Sequence, residues 1–222
     1  MSGHSPLFFQ GVLLTSATAS GLHLLVPTIV SSAAGTLTGF LITATRRLKW
    51  PLVLGASLYL LGALSLAAMR PGWPEVWYLL ALAPTAAGQG FQFPGTFLAV
   101  LAASPQRAQA VVTSTLVLWR GLGMVLGIAA SSLVLQNALV GYLDEFVRHG
   151  AAGSPAEREQ VIRLVRGSVA AVRDLDDRFR PEVVRSYEAA LRTTFLSLAV
   201  VAAVSLVLIV PVRLPRLGQA RR

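Results

Sequence analysis

No cysteine occurs in the chain, which excludes disulfide frameworks, thiol catalysis and cysteine-ligated zinc together. Charge is scarce as well: Asp, Glu, Lys and Arg make up 13% of the 222 residues, against roughly 25% in an ordinary soluble domain. Too few charges exist to coat a soluble surface. Acid is scarcest of all. Nine acidic residues lie between Gly141 and Arg192, and Glu75 is the tenth, so no Asp or Glu stands inside any long apolar run. No clustered His or carboxylate ligands mark a metal site, and no serine–histidine pairing marks a hydrolase. There is no G-x-x-x-x-G-K-[ST] cradle for a nucleotide, and Gly121-Leu-Gly-Met-Val-Leu-Gly sits inside an apolar run instead of a strand-to-helix turn. An enzyme has little to stand on, and neither cofactor nor metal is expected.

What the chain has instead is hydrophobicity, 54% of its residues with a mean hydropathy of +0.64. It arrives in uninterrupted stretches of about 20 residues, the length that crosses a hydrocarbon layer of roughly 30 Å. The expected fold is an all-α polytopic transmembrane bundle of about five spans, with the lipid bilayer as its first partner. Residues 1–21 read as the remnant of a cut span, Leu7 to Leu14, and an outer loop; Met1 to Gln10 lacks the positive n-region of a signal peptide. Residues 22–135 hold four spans: about Leu22 to Ala44, Pro51 to Met69, Val76 to Ala103 and Ala110 to Leu135. Residues 136–188 form a long non-cytoplasmic loop, 189–212 the last span, and 213–222 a basic cytoplasmic tail.

In that loop, Ser154-Pro155-Ala156-Glu157 is a capping box with proline at the first helical position. Val161, Leu164, Val165, Val169, Val172 and Leu175 follow as an apolar stripe at helical spacing. The helix lies either on the membrane surface or on neighbouring spans.

The net charge of +9 is not a nucleic-acid patch. Between Gly141 and Arg192 nine arginines balance nine acids. The excess comes from segments flanking the spans, including Arg46, Arg47, Lys49, Arg107 and the tail. Counting turns puts these on one side and Arg70 with the neutral loop on the other. The positive-inside rule then gives a cytoplasmic C-terminus.

Arg120 is the most informative residue, about ten residues into its span and therefore roughly 15 Å deep. Estimates for arginine there start at about 2.5 kcal/mol, so such a residue faces a cavity or a partner. It serves a substrate or proton pathway, or else a structural role through helix carbonyls. Gln89 and Gln92, with the glycine-flanked Phe91 and Phe93, line a binding cavity or belong to a kinked packed helix. The run Pro84, Gly88, Gln89, Gly90, Gln92, Pro94, Gly95 predicts a helix that is not continuous. Gly35 and Gly39, and Gly123, Gly127 and Ser131, have the spacing of helix-packing stripes. His4, Gln10, His23, Gln136, Asn137 and His149 read as solvated interface residues.

The segment Gly39-Phe-Leu-Ile-Thr-Ala-Thr-Arg-Arg-Leu-Lys resembles the cytoplasmic loop motif of major facilitator superfamily transporters, carried here by Gly39, Arg46, Arg47 and Lys49. Arg46 stands where the motif usually has glycine, and the motif's acidic residue is missing. Gly88-Gln-Gly-Phe-Gln-Phe-Pro, Gln109-Ala-Val-Val-Thr-Ser-Thr, Arg120-Gly-Leu-Gly-Met-Val-Leu-Gly and Gln136-Asn137 are similar to the C-terminal half of the fungal fourteen-span branch. That branch contains drug:proton antiporters and vacuolar basic amino acid transporters. The resemblance implies a partial C-terminal half of a major facilitator fold, in the plasma or vacuolar membrane, with a small-molecule substrate and protons. It further implies that N-terminal helices or another chain supply the acidic partner of Arg120. The alternatives are a non-transporting membrane scaffold that associates through its glycine stripes, or an inactive truncated product.

Overall fold

The computed structural model describes residues 25–69, 75–148, 154–167, 178–212 and 214. The expected cut span, the turn at 70–74, His4, Gln10, His23, His149, Val169, Val172, Leu175 and all of the basic tail but Leu214 lie outside them. Six helices run through the described residues: α1 (Leu25–Thr45), α2 (Lys49–Ala67), α3 (Glu75–Ala103), α4 (Gln109–Leu143), α5 (Pro155–Gly167) and α6 (Arg180–Ile209). A single 3-10 turn, Gln106–Ala108, precedes α4, and one π turn, Asp144–Arg148, extends it.

Among the described residues, four helical stretches are long and apolar enough to cross a membrane: Leu25–Thr45, Lys49–Ala67, Gln106–Val147 and Arg180–Ile209. The 29-residue α3 has the length to do so, but its glycines, glutamines and prolines dilute its hydropathy below theirs. It is instead the middle of a layer. α3 packs against α1 on one side and α2 on the other, α2 packs on α6, and α6 packs on α4.

The helix of α3 is continuous, contrary to expectation, with Pro84 and Pro94 both inside it. A proline removes one N–H and strands the carbonyl four residues earlier, which for Pro94 is that of Gly90. Thr38, fully buried on α1, points its hydroxyl at that carbonyl at 3.4 Å while donating to Ala34 O at 2.8 Å. Such side-chain repair of freed backbone groups lets prolines persist in membrane helices.

The approach that allows it rests on glycine. A Cβ on Gly90 would meet Ser31 O, Ala34 Cβ at 2.6 Å and Gly35 N at 2.9 Å. On the other face, a Cβ on Gly62 of α2 would run into Thr85, with its N at 2.6 Å and Cα at 2.8 Å. Backbone-to-backbone packing of this kind is how helices associate where lipid removes the hydrophobic drive.

The larger apolar core lies at one end, where Leu66 and Leu82 meet Leu139, Leu143 and Phe195. α4 reaches this core only from Ser131 onward, through Leu135, Leu139 and Leu143. Helix therefore continues beyond Leu135, the expected end of the span, and carries Gln136 and Asn137 on its exposed side.

The capping box of α5 is formed as read: Ser154 N donates to Glu157 Oε2 at 2.7 Å and Glu157 N to Ser154 Oγ at 3.3 Å. The helix lies on neighbouring elements. Val161, Ile162 and Val165 are buried in the larger core with Phe179, Val183 and Tyr187, and the Tyr187 hydroxyl donates to Val165 O at 3.0 Å. Leu164, expected on the buried stripe, is 51% exposed, and Ile162 takes the buried place.

Candidate functional site

Halfway along α3, an open cleft of about 560 Å³ separates α1 from the upstream half of α4. Ser31, Ser32 and Thr36 line it from α1, Gln89 and Phe93 from α3, and Arg120 from α4. Arg120 does not meet a carboxylate there. Its guanidinium carbon lies 3.7 Å from the centroid of the Phe93 ring, a cation–π contact. The ring's negative face attracts the guanidinium and gives the cation a partner in the absence of a carboxylate.

Helical geometry explains which predicted residues come together. Gln89 and Phe93 are one turn apart, and residues four apart share a face. Gln92 and Phe91 are not brought to the cleft. A Cβ on Gly55 of α2 would lie 2.9 Å from Gln92 Cγ and 3.0 Å from Phe91 Cβ, so both pack toward α2, and Phe91 is buried. Three hydroxyl residues of α1 were missed because serine and threonine in an apolar run read as packing residues. Thr36 does turn its hydroxyl back onto Ser32 O at 3.1 Å.

The predicted packing residues divide as well. Gly35 lies 3.7 Å, measured from an added Cβ, from Gly90 O across the α1–α3 seam, whereas Gly39, Gly123 and Gly127 have nothing within 4 Å of theirs. Ser131 is buried against the core. Around Gly123 and Gly127, Val117, Met124 and Ile128 are each about 60% exposed.

The loop residues Gly39, Arg46, Arg47 and Lys49 lie at the far end of α1 and the start of α2. Arg46 has φ 54°, among the described residues the one non-glycine backbone in the left-handed region. Its N–H donates to Ile42 O at 2.8 Å. This is the left-handed helix end that glycine adopts most readily. The backbone keeps the glycine conformation although the side chain is arginine.

Chemically, the cleft offers one fixed cation, a carboxamide, three hydroxyl-bearing residues and an aromatic face. A guanidinium's planar fork suits a carboxylate or phosphate. None of the lining residues is acidic, and no cluster of metal-ligating side chains occurs among the described residues.

No family model matches the chain, and no solved structure matches it. Individual proteins do. The chain is 29% identical over 203 residues to vacuolar basic amino acid transporter 2 of Saccharomyces cerevisiae, covering 91% of this chain and 42% of that one. It is 26% identical over 201 residues to multidrug resistance protein fnx1 of Schizosaccharomyces pombe, covering 89% and 37%. With multidrug resistance protein 3 of Bacillus subtilis it shares 27% identity over 153 residues, 68% of this chain and 30% of that one. The chain thus spans less than half the length of these relatives.

Proposed function

We propose, for a chain that is similar over about nine-tenths of its length to a vacuolar amino acid transporter and to a protein named as an MFS transporter, that it forms part of a membrane transporter of small molecules. The cleft between α1, α3 and α4 is one wall of the pathway. The observation that carries this reading is Arg120, a cation within a long apolar helix that lines an open, partly polar cleft. A purely structural arginine would be expected to turn to helix carbonyls. Transporters of this architecture hold their substrate near the bilayer midplane between two repeats that rock against each other, and a cleft lined by Gln89 and Phe93, halfway along α3, suits such a position.

The relatives' names point to basic amino acids and to drugs. The cleft suits the first better, because Arg120 attracts a carboxylate and repels a cation. An acidic group to receive a substrate's positive end, or a coupling proton, comes from helices outside the described residues or from another chain. We assign the end bearing Arg47, Lys49 and Leu214 to the cytoplasm on the positive-inside rule, in a plasma or vacuolar membrane.

The test begins by sequencing full-length transcripts and blotting the protein through a C-terminal tag, to define the native product. In membrane vesicles carrying that product, uptake of labelled lysine or arginine under an imposed pH gradient is expected. Arg120→Ala should abolish it and Arg120→Lys should retain a fraction. Wild-type transport left intact by Arg120→Ala would remove the cleft from the pathway.

A second reading has one observation of its own, the open face at Gly123 and Gly127. Small residues in an apolar helix admit close helix contact, so a scaffold role through this face predicts a stable oligomer that transports nothing.

A further inference from the structure

At the end of the bundle remote from α5, the α1–α2 turn and the last turn of α6 enclose a separate cavity of about 420 Å³. Its lining combines two cations, Arg47 and Lys49, and Trp50 with the aliphatic Leu48, Val53, Val210 and Leu214. No lining residue is acidic. The two cations are held in place by the residue between them: Leu48 is 1% exposed, packed with Ile42, Leu52 and Ala99. Trp50, at 61% exposed, stands at the start of a span, where aromatic side chains settle at headgroup level. α2 also begins here with no side-chain cap and no acid in its first turn. The positive end of its dipole therefore adds to the two side-chain charges.

We infer that this cavity binds the headgroup of an anionic phospholipid. Arg47, Lys49 and the first amides of α2 take the phosphate, and the acyl chains leave along Val53 and Val210. The mixed lining selects this occupant. A free phosphate has no use for the aliphatic residues, and a zwitterionic headgroup gains little from two uncompensated cations. Basic pockets between membrane helices hold anionic headgroups in this way. The site is distinct from the Arg120 cleft, and its existence does not depend on what the cleft transports.

The experiment is native mass spectrometry on the full-length native protein in detergent, with phosphatidylserine and phosphatidylcholine added in equal amounts. Wild type should retain phosphatidylserine roughly thirtyfold over phosphatidylcholine, the scale expected of two interfacial cations at about 1 kcal/mol each. The double variant R47Q/K49Q should lose that preference. Arg107→Gln, an exposed cation at the same end of the bundle, should keep it. Val210→Phe narrows the cavity at an aliphatic residue without touching charge, so it should lower retention even where R47Q/K49Q does not fold. Equal retention of the two lipids by wild type would overturn the inference. So would undiminished preference in both cavity variants, or displacement of phosphatidylserine by millimolar inorganic phosphate, which would identify a soluble anion as the occupant.

Discussion

At the scale of single residues, glycine and its neighbours divide into positions that hold helices together and positions that touch nothing. Gly62→Ala forces a methyl into the Thr85 backbone. We expect a loss of about 1–3 kcal/mol, the usual cost of overpacking, read as a lower midpoint in thermal unfolding in detergent. Gly123→Ala meets open space and should be neutral or stabilising by up to about 1 kcal/mol from helix propensity. Arg46→Gly relieves a left-handed backbone that costs a non-glycine residue roughly 1–2 kcal/mol, so the same measurement should show a higher midpoint. The sequence pointed to that site, because the resemblance places glycine where Arg46 stands, and the φ of 54° shows that the backbone requirement persists. It did not separate Gln89 from Gln92. Both are amides in one glycine-rich run, and which faces the cleft depends on which neighbour each side of α3 receives.

At the scale of elements, local signals were legible and partners were not. The capping box at Ser154 and Glu157 was readable because it needs only a four-residue spacing. Ser154→Ala should weaken α5 by about 1 kcal/mol, seen as faster amide exchange in residues 155–165 with little change in α2 or α3. Where α5 docks was not readable, since an amphipathic helix presents the same stripe to lipid and to protein. The continuity of α3 was misread for a related reason. Proline is a breaker by local rules, and the compensating hydroxyl of Thr38 comes from another helix, 52 residues away along the chain. Within this chain Gly123, Gly127 and Ser131 do not share one neighbour: Ser131 is buried and the two glycines have open space beside them. A four-residue repeat creeps about 40° per step around a helix of 3.6 residues per turn, and the buried residues of α4 begin at Ser131.

At the scale of the whole molecule, membrane class followed from run length and charge scarcity. The shape of the cleft did not, because α1, α3 and α4 contribute to it and the order of helices in space, α1 beside α3 beside α2, differs from their order in the chain. The absence of native cysteine makes single-cysteine probes free of background. In this chain in detergent, Met124→Cys should react rapidly with a thiol reagent and Leu139→Cys slowly, following 64% and 9% exposure. In the full-length native protein, loss of Met124→Cys reactivity is expected where further helices cover α4. Equal reactivity in both preparations would mean that this face stays open. α4 is, mechanically, a cantilever: its buried residues begin at Ser131, and Arg120 stands about 16 Å upstream of them, where α4 touches α3 only lightly. A tilt of about 10° there swings the guanidinium by roughly 3 Å, comparable with its 3.7 Å standoff from Phe93. A rotation of that size would therefore be enough to make or break the cation–ring contact.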